Sequence, residues 1–156
     1  MKKIAVLVVL FFAIVGCNNQ KKVVENDSKT KAEVNEYKVP KIEYEASSRG
    51  FYEKIIIENQ MVTVVNERDA KDNGETAKIS DDVNKELSSY LNSVQLDQLA
   101  TYKDPTQKRF YDGAAIANLK ITVDGVEYKT VDFDHGIPPV EIEKLVNKIV
   151  SFGVKR

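Results

Sequence analysis

The chain reads as α+β: a two-layer domain with an antiparallel sheet of about four strands, in hairpin–helix, hairpin–helix order. Three observations predict this. Two stretches are rich in β-branched residues or alternate apolar and polar residues as strands do, and each contains a tight-turn signal. Each leads into a stretch whose apolar residues recur at helical spacing. Two hairpins with a helix after each bury their apolar faces most simply as one sheet under a helical layer.

The first hairpin is "FYEKIIIENQMVTVVNER", residues 51–68, with a turn near Glu58-Asn59-Gln60. The segment "RDAKDNGETAK" follows as a polar loop with Asn73-Gly74 as its turn. Ser80 is a favoured helix N-cap, and Asp81 and Asp82 place negative charge at the positive end of the helix. Val83, Leu87, Tyr90, Leu91 and Val94 supply its apolar stripe, and a short turn or helical piece closes before Pro105. The second hairpin turns at Asp124-Gly125, where both residues need positive φ. That turn faces Val123 with Val126, Ile121 with Tyr128 and Leu119 with Thr130. Past Thr130 the apolar phase moves to Val131 and Phe133, the mark of a bulge or of a strand covered on both faces. Pro138-Pro139 suits a helix start, Ile142, Leu145, Val146, Ile149 and Phe152 form the last stripe, and Gly153 is placed as its stop.

The N-terminus has a different character. Lys2 and Lys3 precede an uncharged apolar run, Ile4 to Val15, that is shorter than the roughly 20 residues a bilayer span needs. It fits the hydrophobic core of a secretory signal. The run ends in Ile14-Val15-Gly16-Cys17, which resembles the lipobox of bacterial lipoproteins. The resemblance implies cleavage after Gly16 and a diacylglycerol on the Cys17 sulfur, with the new amino group open to acylation (palmitate). It makes residues 1–16 a signal peptide and places the protein in the bacterial cell envelope, anchored to a membrane by lipid and not spanning it. Asn18, where enterobacterial lipoproteins kept in the inner membrane carry Asp, leans towards the outer membrane. Cys17 is the only cysteine, so the domain must rest on its core without a disulfide.

Residues 17–48 read as the lipidated cysteine and a flexible tether, because six lysines and six acids alternate there with few large apolar residues. About 25 residues of such coil reach about 27 Å. Within it, "KVPKIEYEA" has an edge strand as its alternative reading, with Val39, Ile42 and Tyr44 apolar and Pro40 tolerated at an edge. Residues 49–156 have the length of a single domain. A formal charge of −1 gives no electrostatic reason to expect nucleic acid as a partner.

Beyond the lipobox, the order of elements and three landmarks resemble a small domain of unknown function in bacterial envelope proteins. The landmarks are Ser48-Arg49-Gly50, Ile79-Ser80 and His135-Gly136-Ile137-Pro138-Pro139. Some members have paired cysteines near the first strand, where this chain has "GFYEK". The resemblance implies a fold and no activity.

Candidate site residues are few. His135, the only histidine, lies beside Asp134 and Asp132, but a metal site needs three or four ligands close together. It is read as the corner where the second hairpin passes to the last helix, hydrogen-bonded to Asp134 or Asp132. "SRGFY" (48–52) and "KRFYDGAA" (108–115) offer Arg49, Tyr52, Arg109, Phe110, Tyr111 and Asp112 as binding residues. The competing reading is an Arg109–Asp112 or Arg49–Asp134 brace over core aromatics. No phosphate-binding glycine loop, CxxC pair or HExxH motif occurs, so no cofactor or metal is expected. The chain is therefore expected to be a non-enzymatic, lipid-anchored module that binds or supports another envelope component. The alternatives are an inhibitor or immunity-type module, presenting an exposed aromatic–acidic loop, and a hydrolase using His135 with Asp134 and Arg109.

Overall fold

The computed structural model describes residues 39–69 and 74–153, all within one compact unit, Asn35–Arg156. Gly16, Cys17 and the rest of the expected signal and tether up to residue 38 lie outside the described residues, as does Asn73 of the expected loop turn. The expected antiparallel sheet with helices is present, but it is wider than four strands. Among the described residues there are seven strands: β1 (Lys41–Ser48), β2 (Phe51–Glu58), β3 (Met61–Val65), β4 (Glu75–Lys78), β5 (Ile116–Val123), β6 (Val126–Lys129) and β7 (Phe133–Asp134). Their order is β4-β3-β2-β1-β5-β6, and β7 also pairs with β5.

The added strands have different causes. β1 was assigned to the tether, with an edge strand as the alternative, yet it lies between β2 and β5. Its charged residues Lys41, Glu43 and Glu45 alternate with Ile42, Tyr44 and Ala46, which are fully buried. Pro40 precedes the strand, where its missing N–H costs nothing. β4 lies in the expected polar loop. It has no buried residue and is held by its ladder to β3 and by a 3.0 Å bond between the Thr63 and Thr76 hydroxyls.

β6 and β7 are one edge strand interrupted by a bulge. Lys120 pairs with Lys129 and Ala117 with Phe133, so three steps along β5 match four along its neighbour. At the interruption Thr130 N–H donates to the Leu119 carbonyl, and Thr130 Oγ1 accepts from Leu119 N–H, both at 3.0 Å. The hydroxyl takes over the ladder position, and the extra residue lets Phe133 return to the core.

Rows of buried side chains cross the inner face: Ile57–Ile42–Ile121, then Ile55–Tyr44–Leu119. Fully burying each large aliphatic residue is worth about 1.5–3 kcal/mol. Two helices complete this layer, α1 (Asp81–Asn92) and α2 (Glu143–Val150). Ser80 caps α1 as expected, its Oγ accepting from Val83 N–H at 3.4 Å. Leu87 of α1 and Leu145, Val146 and Ile149 of α2 are buried, and Lys148 reaches Glu86 across the helices at 2.6 Å. The prolines lead into a 3-10 turn, Val140–Ile142, before α2 begins. Gly153 is not a left-handed stop, since its φ is not positive. A Cβ there would meet the Glu53 carboxylate, the movable end of a side chain.

The sheet has two distinguishable ends. The chain comes in at Val39, beside the turns at Asn59-Gln60 and Asp124-Gly125, here called the proximal end. About 23 Å further along β1, at about 3.3 Å per residue, lie the Ser48–Phe51 turn, the start of β5 and β7, the distal end.

Candidate functional site

All the candidate residues of the described chain gather at the distal end, in three neighbourhoods. The centre is Asp134. Phe133 pairs with Ala117 on the inner face, so by alternation Asp134 projects to the other face. It is nonetheless fully buried, because the segment from Asp104 to Arg109 closes over it. One carboxylate oxygen accepts from the Thr106 hydroxyl at 2.5 Å and Lys108 N–H at 2.6 Å. The other accepts from Arg109 N–H at 3.0 Å and its guanidinium at 3.1 Å. The two N–H groups open a 3-10 turn, Lys108–Tyr111, so a carboxylate from a distant strand caps it. Burial alone would raise the Asp134 pKa, but the Thr106 hydroxyl, the two N–H donors and the guanidinium overcome it and hold it at about 2.

Arg109 is nearly buried itself. Its other nitrogen meets Asp104 at 2.7 Å, and it donates to the Thr106 carbonyl at 3.0 Å. The expected Arg109–Asp112 and Arg49–Asp134 braces are therefore not the ones formed. Asp112 instead ends the 3-10 turn in the left-handed region, at φ 60°. The bridged base carries an exposed tip: Phe110 and Tyr111 are each 71 % exposed. The Arg109 guanidinium lies 4.4 Å from the Phe110 ring centroid and covers one of its faces.

His135 points the opposite way, into the inner layer. Its Nδ1 lies 2.7 Å from the Tyr44 hydroxyl, and its ring is 5.2 Å from that of Phe51. The expected Asp134 or Asp132 partner is replaced by Tyr44, and the Asp134 carboxylate is committed to Thr106, Lys108 and Arg109. Burial lowers the His135 pKa, while burial and then the Glu53 charge raise that of Tyr44. Tyr44 therefore donates and Nδ1 accepts, which leaves the ring proton on Nε2. A neutral imidazole favoured by folding contributes stability that is complete above the unfolded pKa of about 6.5 and declines as pH falls through it. Stability measured by denaturant at pH 7.5 and 5.5 is expected to fall with acid, and less so in His135→Phe. An unchanged slope in that variant would show that another group sets the dependence.

Arg49 and Tyr52 flank the β1–β2 turn and line a shallow cleft of about 460 Å³ with Phe51, Arg68 and Asp69. Arg68, not Arg49, lies over the Tyr52 ring, at 5.7 Å. Asp104 and Thr106 are not among the residues the sequence singles out. Thr106 has no local signal, since its partner is 28 residues away, while Asp104 meets Arg109 only five residues on.

Among the described residues no group of three or more His, Cys, Asp or Glu could hold a metal ion. No described helix is long and apolar enough to cross a membrane. Compared with protein-family models, curated proteins and solved structures, the chain matches none. Function has to be read from the chain's own residues.

Proposed function

We propose that the protein is a lipid-anchored module of the bacterial envelope, held through Cys17 after cleavage behind Gly16, that binds another envelope protein through its distal tip. The carrying observation is the pair Phe110 and Tyr111, adjacent and each 71 % exposed on a base fixed by a buried carboxylate. Aromatic side chains are frequent anchors of protein interfaces, and a base ordered beforehand reduces the entropy lost on docking. The tip lies at the end of the sheet opposite Val39, the first described residue.

The same tip supports an inhibitor or immunity-type reading, because an aromatic–acidic loop ending in Asp112 suits insertion into the cleft of a secreted enzyme. A hydrolase has less support: His135, in the turn after β7, meets Tyr44 of the inner layer, while Asp134 and Arg109 are occupied with each other.

The test is fractionation and capture with the full chain. Cys17→Ser is expected to move the protein from the membrane to the soluble fraction; retention in the membrane would refute the anchor. Phe110→Ser with Tyr111→Ser is expected to cost about 1 kcal/mol of stability or less, as exposed positions do, while abolishing capture of the envelope partner. Undiminished capture by that variant would remove the tip from the interface.

A further inference from the structure

We infer that the notch at the proximal end of the sheet binds a small amphipathic cation, an ammonium or guanidinium group carrying an apolar tail. The notch follows from strand lengths. β1 begins at Lys41, opposite Thr122, while the neighbouring strands run on to turns at Asn59-Gln60 and Asp124-Gly125. Ladder pairing of the central strand therefore ends short of the two hairpin tips, and Pro40 and Val39 continue between them and line the notch. The last turn of α1, with Val94 and Leu96 behind it, closes the third side. The resulting volume is about 790 Å³, within the roughly 300–1,000 Å³ of small-molecule sites.

The lining has one chemical character inside and another at its edges. Val39, Leu91, Leu96 and Val123 supply apolar surface that fits a short alkyl or aryl tail. Glu58 and Asp124 bring carboxylates from the hairpins on either side, and neither pairs with a lysine or arginine among the described residues. Lys41, the lining cation, is drawn to Glu43 at 3.6 Å. α1 adds a smaller negative contribution from the C-terminal end of its macrodipole: its Tyr90 and Leu91 carbonyls already accept from Ser93 and Val94 N–H, and its last turn has no basic residue to offset the dipole. Ser88, Leu91 and Asn92 of that end lie in the notch wall. Two carboxylates and a helix C-terminus around apolar surface complement a cation with a tail, and they repel a fatty acid of equal length. The left-handed turn conformation at Asp124, φ 49°, sets the direction in which its side chain leaves the hairpin. The site is separate from the distal tip and does not depend on the role given to it.

The full chain is titrated with octylammonium, octanoate and ethylammonium, followed by calorimetry and backbone-amide NMR. Octylammonium is expected to saturate, with shifts centred on Asn59, Leu91 and Asp124, while octanoate and ethylammonium do not. Glu58→Gln with Asp124→Asn keeps shape and turn propensity, since Asn tolerates positive φ. It is expected to weaken octylammonium binding at least about tenfold, or about 1.4 kcal/mol. Equal binding of octanoate, no saturation with octylammonium, shifts centred elsewhere, or unchanged affinity in the double variant would each overturn the assignment.

Discussion

Asp134→Ala is expected to destabilise the domain by about 3–5 kcal/mol, the range for breaking a buried, hydrogen-bonded ion pair. Four donors lose their acceptor at once: the Thr106 hydroxyl, Lys108 N–H, Arg109 N–H and one arm of the Arg109 guanidinium. Asp104 still holds the other arm, so the guanidinium is not stranded, which places the loss nearer the lower end. Asp134→Asn should be little better, because its amide presents hydrogens to groups that themselves donate. Denaturant unfolding monitored by circular dichroism reads both. A loss below about 1 kcal/mol would mean that solvent replaces the carboxylate and that Asp134 does not hold the loop. The acid limb has a worked sign. Since folding lowers the Asp134 pKa to about 2, its contribution is complete above the unfolded pKa near 3.9 and disappears as pH falls through 2.

Gly74→Ala is expected to cost about 3 kcal/mol. Gly74 has φ +83°, where a side chain costs about 1–2 kcal/mol, and its added Cβ would lie 2.4 Å from the Val64 carbonyl oxygen. That oxygen belongs to the backbone of β3, so relief requires moving a strand, an overpacking cost of about 1–3 kcal/mol. Gly125 is the internal control. Its φ is nearly the same, +82°, but nothing lies within 4 Å of its Cβ position, so Gly125→Ala should lose only the conformational part. Comparing the two variants' midpoints in urea isolates the steric part. Equal losses would show that β3 yields without cost.

Features that depend on near neighbours were readable from the residues. The Asp124-Gly125 hairpin, its register, the Ser80 cap and the phase change beyond Thr130 all arise within a few positions of one another. β1 was misassigned because its outward residues are lysine and glutamate, so its average composition matches the charged segment before it. Its alternation was present, but nothing local says that both of its edges find partners. At the distal site, Arg109 and Asp134 were each visible as candidates. Their union with Asp104 and Thr106 was not, because it depends on how the segment leading to β5 passes over β7. Tyr44 as the partner of His135 was hidden likewise, its sequence separation being 91 residues.

The central place of β1 also bears on how the domain assembles as the chain emerges N-terminus first. β1 to β4 can form a meander by successive local turns, but the second edge of β1 waits for β5, about 80 residues later. Pairing across such a separation closes a large loop before it gains contacts, which slows folding. Until then a strand containing Ile42, Tyr44 and Ala46 shows an unsatisfied backbone ladder. Any chain released before residue 116 therefore carries an adhesive strand edge, and completion of the sheet is a step timed by synthesis of its C-terminal third.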